Sequence, residues 1–271
     1  MPQNKGSFFF TRLYDRGLDW YEAFFRDGSA HRAAGESCED YLSSPEALER
    51  IRAYRPDMRL VCSLRNPYER ALSAWQFFGR NGIAEPTLRE QSKVRPDVFS
   101  MGYYASHLRT VYSLFPEEQI LVFLYDELAA DPCGVVERLY QFIGVNPRFA
   151  PPSCYRVVNQ NGLPRIPAVA RLVHNVHMHS WGRSRLVSNM VGAIKSVRPL
   201  RQAVKVALYK EQPAAVDWSN HLAEFPEEVV ARYEEEISAL ERMLGRDLSH
   251  WHAPSGAGAT RTVEMERDFS C

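Results

Sequence analysis

Arg65, Asn66, Pro67, Glu69 and Ser73 fall within one short stretch, RLVCSLRNPYERALSAWQFF over 59–78. Their types and spacing describe an anion site. An arginine guanidinium is planar, permanently charged and forked, so it grips phosphate through two parallel N–H···O bonds. Asn66 is a good helix N-cap, and Pro67 suits the first helical turn. Glu69, three residues after Asn66, completes a capping box with Asn in the Ser/Thr place. A helix beginning there turns its unpaired N–H groups and the positive end of its dipole toward an anion. Ser73, two turns into the helix, adds a hydroxyl. The plainer alternative is a capped crossover helix whose Arg65 pairs with a carboxylate.

Such a site needs a strand before it and a helix after it. Met58 to Leu64 (MRLVCSL) is a compact apolar run suited to a parallel strand buried on both faces. The helix is expected over Pro67–Gly79. Open α/β folds collect ligands at the C-terminal edge of their strands, where Arg65 stands. Gln119 to Tyr125 (QILVFLY) predicts a second buried strand. Helices are expected over Gly17–Phe25, with Leu18, Tyr21, Phe24 and Phe25 on one face, and over Pro45–Tyr54, capped by Ser44. Others are expected over Tyr103–Phe115, over Pro132–Ile143 up to a stop at Gly144, and over Pro226–Leu244, where Val229, Tyr233, Ile237, Leu240 and Leu244 repeat at helical spacing. Residues 1–16 show no clear periodicity and 27–40 read as loop. Loop with a helical turn is expected over 80–100, a Pro-rich loop over 147–164, and helices through much of 166–210. The order strand–helix–strand–helix specifies an α/β fold with a parallel sheet and a helical C-terminal half. Two strong strands are few for such a sheet, so weaker strands or an absent part of it are expected.

Composition narrows the function classes. The chain has 271 residues, 45% hydrophobic and 24% charged, enough for one large α/β domain and unlike disordered or collagen-like sequences. No apolar run reaches the roughly 18 residues of a membrane-spanning helix. Cys38, Cys62, Cys133, Cys154 and Cys271 are odd in number and scattered, which fits free thiols in a reducing cytoplasm. The formal charge is zero, yet 138–210 holds twelve Lys and Arg and no Asp or Glu, so that segment carries +12 and the remainder −12. A field of that sign attracts phosphates, acidic or sulfated sugars, nucleic acid or anionic lipid. No recognisable nucleic-acid module accompanies it. The alternative is pairing with acidic helices such as 227–241.

The stretch LRNPYERALSAW resembles the 3′-phosphate-binding motif of sulfotransferases that use 3′-phosphoadenosine 5′-phosphosulfate (PAPS). The resemblance implies that Arg65 and Ser73 hold the 3′-phosphate, and Arg165 in the loop VVNQNGLPR is a further candidate for cofactor phosphate. FFFTRLYDRGLDWYEAFF, GESCEDYL, GYYASHLRTVYSLFPEEQILVFLYDELAADP and LERMLGRDLSHW resemble further family segments in family order. The likeness covers about residues 5–251 and is closest to bacterial relatives of the heparan-sulfate branch. It implies a P-loop-NTPase-like parallel sheet flanked by helices, a sulfotransferase-like domain over 1–252 and a flexible tail over 253–271.

Four departures from the family pattern qualify this. No Lys-x-Gly-Thr-Thr phosphosulfate loop occurs, so the first strand and its loop are expected to be missing by truncation. Aligning Phe9-Phe10 puts Gly6 where the branch carries a Glu base. Ser37 stands where some relatives carry a substrate-site Lys, and Cys38-Glu39 replaces Ser/Thr-Pro. Glu36 and His107 are the substitutes for a base, against plainer roles in holding a turn and packing a helix. His174, His177 and His179 read as part of a solvated basic helix, and Lys195–Lys210 as an amphipathic surface for an acidic acceptor or lipid.

The implied function is transfer of a sulfuryl group from PAPS, leaving 3′,5′-bisphosphate (PAP), to a hydroxyl or amine of a carbohydrate, lipid or small molecule, without a metal. The alternative is an inactive relative that binds nucleotide or polyanion. Expected contacts are a small-molecule or saccharide acceptor, no specific nucleic acid, and peripheral anionic surfaces through 165–210. A cytoplasmic location is expected.

Overall fold

The computed structural model describes residues 6–28, 31–149, 151, 162–164, 209–211 and 217–254. Arg165, His174, His177, His179 and Lys195 lie outside these residues, as do Cys154 and Cys271.

The N-terminal segment forms two short helices, α1 (Phe9–Arg12) and α2 (Leu18–Glu22), the second tightening into a 3₁₀ stretch over Ala23–Gly28. Phe9 stacks on Tyr21 at 4.7 Å, and Phe10 meets Tyr21 and Tyr41 edge-on. The expected apolar face of 17–25 forms only in part. Tyr21 is buried, but Leu18 is 42% exposed. Phe24 and Phe25, in the 3₁₀ stretch, are half-buried. Pro45–Tyr54 forms α3 as expected, with Ser44 Oγ accepting the Ala47 N–H.

Strand β1 (Leu60–Leu64) leads into α4 (Pro67–Arg80). The 80–100 region holds two helices, α5 (Leu88–Val94) and α6 (Asp97–Ser100), where a loop with one turn was expected. Thr87 caps α5 through the Glu90 N–H, a signal shorter than the window that periodicity needs. Helix α7 (Tyr104–Leu114), strand β2 (Ile120–Leu124), α8 (Tyr125–Ala130) and α9 (Pro132–Ile143) follow. Gly144, at φ 76°, ends α9 in the left-handed region. Gly162–Pro164 (β3) and Tyr209–Glu211 (β4) pair antiparallel, where loop and helix were expected. Three-residue strands are too short to show a period in sequence. The last long helix, α10 (Glu227–Leu244), packs against α7.

β1 and β2 run parallel, with Leu60 opposite Ile120 and Leu64 opposite Leu124. Ile120, Val122, Leu124 and Leu64 are buried. The other face of β1 departs from expectation: Val61 is 40% exposed, and Val61 and Ser63 line a cavity instead of a second layer. Arg246 donates through Nη2 to the Val122 carbonyl and so reaches β2 from beyond α10. The fold is α/β, a parallel strand pair flanked by helices and helical overall.

Gly102 is set by close approach. A Cβ there would lie 3.0 Å from Pro67 Cβ, 3.1 Å from Tyr233 Cε1 and 3.2 Å from the Phe99 carbonyl. Pro67 opens α4 and Tyr233 lies in the core, so neither can withdraw freely. Gly102→Ala is expected to cost about 1–3 kcal/mol through overpacking. Thermal denaturation should show a Tm lower by roughly 2–10 °C.

Candidate functional site

Asn66 caps α4 with its side chain. Its Oδ1 accepts the N–H groups of Tyr68 at 2.9 Å and Glu69 at 3.4 Å. Only half of the expected capping box forms. The Glu69 carboxylate turns to Arg65, whose Nε donates to Oε2 at 2.7 Å. A charge-assisted bond to a guanidinium outcompetes a bond to a backbone N–H. Arg65 thus has the carboxylate partner of the plainer reading, but through Nε alone. The guanidinium is 37% exposed and lies over the Tyr125 ring at 5.1 Å. Among the described residues nothing else bonds its terminal nitrogens, which leaves the fork for an anion.

The position of Tyr125 follows from the sheet. Leu64 and Leu124 are in register, so the residues after them, Arg65 and Tyr125, emerge side by side. Aligning the ends of the two expected strands, Leu64 and Tyr125, misses this pairing by one residue, because β2 ends at Leu124 and Tyr125 opens the next helix.

Arg65 and Ser73 face one cavity of about 2480 Å³. That exceeds the roughly 300–1,000 Å³ of a small-ligand pocket. Its lining includes Val61, Ser63, Arg70, Phe77, Arg80 and Tyr125. Eight arginines and six carboxylates contribute, and two of the acids, Asp40 and Asp97, already pair with Arg12 and Arg95. The balance favours an anionic ligand. Arg70, unremarked in the sequence, points its Nε into a buried position without a partner while another nitrogen donates to the Val98 carbonyl. Ser73 and Arg65 share this cavity; the third candidate, Arg165, lies outside the described residues.

The two substitute bases are held in structural bonds. Glu36 accepts the Ser7 N–H at 2.7 Å and the Tyr41 hydroxyl at 2.9 Å. Burial, the charge of Glu36 and a hydrogen bond to it raise the Tyr21 pKa, so that hydroxyl stays protonated as well. Glu36 thus has both carboxylate oxygens engaged by donors of the chain itself. Its work is to hold the chain at Ser7 against the 36–41 turn. His107 donates Nε2–H to the Ser100 carbonyl at 2.8 Å, and burial lowers its pKa. It ties the α6–α7 corner. Gly6 has no room for a side chain: a Cβ would lie 2.8 Å from the Ser37 carbonyl. Burial raises the thiol pKa of Cys38 and of Cys62 to about 11, so both are protonated near neutral pH and are poor nucleophiles. Among the described residues no three His, Cys, Asp or Glu side chains lie together as metal ligands, and no helix is long and apolar enough to cross a membrane.

The acids of α10 have partners close by. Glu234 takes the Tyr68 hydroxyl and His252, and Glu236 takes Ser106 and Arg232.

Comparison with known proteins agrees with this architecture. The chain is 31% identical over 151 residues to heparan sulfate glucosamine 3-O-sulfotransferase 6 of Mus musculus, covering 51% of this chain and 42% of that protein. It is 28% identical over 158 residues to the bifunctional heparan sulfate N-deacetylase/N-sulfotransferase 3 of Homo sapiens, covering 52% of this chain and 18% of that protein. The chain thus spans less than half the length of these relatives. In fold it is similar to a sulfotransferase from Alicyclobacillus acidocaldarius, with a TM-score of 0.60 and 22% identity, over 92% of this chain and 87% of that one. Residues 6–157 match the sulfotransferase domain, and the chain belongs to that family.

Proposed function

We propose that this domain binds PAPS by its 3′-phosphate at the β1–α4 turn and takes part in sulfuryl transfer to a hydroxyl or amine of a saccharide acceptor. The observation that carries the reading is that Arg65, just before the capped first turn of α4, and Ser73, two turns into it, line the same cavity. The residues fit a dianion: a guanidinium whose terminal nitrogens have no bond among the described residues, a hydroxyl, and a capped helix N-terminus. The names of the relatives support a saccharide acceptor.

Sulfuryl transfer needs donor and acceptor in line, and cations or N–H groups where charge grows on the leaving phosphate. PAPS supplies the electrophilic sulfuryl group. Arg65 and Ser73 would anchor the nucleotide end, and the remaining cavity would seat the acceptor. Ser73→Ala is expected to weaken PAP binding about 3–10-fold, the worth of one hydrogen bond, as read by calorimetric titration.

A second reading is favoured by Gly6: binding without transfer. The position that the family resemblance gives to the base holds no carboxylate, and it has no room for one in this arrangement. Incubation with PAPS and an unsulfated or partly sulfated glycosaminoglycan separates the two readings. Acceptor-dependent release of PAP supports transfer, whereas PAP release no faster than without acceptor leaves binding alone.

A further inference from the structure

Asn66, which follows Arg65, and Asp126, which follows Tyr125, are both held by the turn at Ser249–Trp251. Asn66, which caps α4, donates Nδ2–H to the Trp251 carbonyl at 3.4 Å. Asp126, next to the Tyr125 ring beneath Arg65, accepts Trp251 Nε1–H at 2.8 Å and His250 Nε2 at 3.0 Å. Trp251 is fully buried. It therefore bridges the ends of β1 and β2, 185 and 125 residues away in sequence.

His252 fastens this turn to α10. Its Nδ1 lies 2.5 Å from Glu234 Oε2 and its Nε2 lies 3.4 Å from Glu241 Oε2. The same two carboxylates take the Ala253 and Leu248 N–H groups. Glu234 also accepts the hydroxyl of Tyr68, in the first turn of α4.

We propose that His250–Ala253 is a positioning clamp for the anion site. Trp251 holds Asn66 through its carbonyl and Asp126 through its indole N–H, and protonated His252 between Glu234 and Glu241 locks the clamp shut. The inference rests on the reading of the β1–α4 turn as the donor's 3′-phosphate site.

Burial alone would lower the His252 pKa, but Glu234 and Glu241 outweigh it and hold it above the ordinary histidine value. The groups facing His252 are those two acids on α10; Tyr68 on α4 shares Glu234, and Asp126 with His250 lies on the other side of Trp251. A raised folded-state pKa gives a clamp at full strength below about pH 6.5 that weakens as pH rises through the raised value.

The test uses the full chain as wild type, Trp251→Phe and His252→Gln. PAP binding is titrated at about pH 6 and about pH 9, on either side of the histidine range. Amide exchange at Tyr68 and Glu69, the N–H groups under the Asn66 cap, is followed at one pH. Trp251→Phe keeps the carbonyl that Asn66 bonds but loses the indole N–H bond to Asp126 that seats the turn, so exchange should speed and PAP binding weaken, each by up to about tenfold, the worth of one lost hydrogen bond. Wild-type affinity should fall several-fold at the higher pH, while His252→Gln starts weak and does not fall further. Ionisation of PAP is common to both chains, so the difference between them isolates His252. Unchanged exchange in Trp251→Phe, or identical pH profiles for wild type and His252→Gln, overturns the clamp. If no variant binds PAP, the donor reading fails and exchange at Tyr68 and Glu69 decides the clamp by itself.

Discussion

Arg65→Ala is expected to reduce PAP affinity about 100–1,000-fold while leaving the fold nearly as stable as before. The Arg65 fork meets the dianion with two charge-assisted bonds, each worth about 1.5–3 kcal/mol, and tenfold in affinity is about 1.4 kcal/mol. Among the described residues its only ion pair is with Glu69, four residues on and partly exposed. Such a pair contributes about 0.3–0.5 kcal/mol. Affinity should therefore collapse in a calorimetric titration while the urea midpoint moves little. Arg65→Lys should recover only part of the binding, because an ammonium keeps the charge but loses the planar fork. Equal affinity for wild type and Arg65→Ala would remove the guanidinium from the site.

The largest effect on stability is expected at Glu236. This carboxylate is 4% exposed. Helix α7 begins at Tyr103, which offers no side-chain cap. Glu236, from α10, supplies one across 130 residues. It accepts Ser106 N–H at 2.9 Å and Ser106 Oγ–H at 2.5 Å, and it pairs with Arg232 at 2.7 Å. Glu236→Ala leaves a half-buried N–H and a hydroxyl without this acceptor and removes a polar anchor between α7 and α10. Arg232 is 43% exposed, so water screens part of its loss. The expected cost is about 2–4 kcal/mol, below the full cost of breaking a wholly buried pair. Glu236→Gln keeps one acceptor and should lose about half as much. Urea unfolding of the three proteins checks both values. A midpoint unchanged in Glu236→Ala would show that α7 needs no cap from α10.

What the sequence makes legible follows the range of the forces involved. Ser44, Asn66 and Gly144 act within a few residues of themselves, so α3, α4 and the end of α9 follow from local spacing. The strand ends follow from apolar runs, and with them the placement of Arg65 before a capped helix. Partners from distant segments do not follow. Nothing near Ser106 announces Glu236, and nothing near Asn66 announces Trp251. The exposure of Val61 was equally hidden, because an apolar run reads the same whether its second face meets a helix or a cavity. Glu69 was legible as a capping residue but not as the partner of Arg65, since it lies three residues after Asn66 and four after Arg65, and both spacings bring side chains together on one turn.

The central claim is that the β1–α4 turn reads a 3′-phosphate. Calorimetric titration of the full chain with PAP and with adenosine 5′-monophosphate, which lacks that group, tests it most directly. The account predicts that PAP binds about 100-fold or more tightly than the monophosphate, two charge-assisted bonds' worth, and that Arg65→Ala erases the difference. Equal affinity for the two nucleotides, or no PAP binding by the folded wild-type chain, would contradict it.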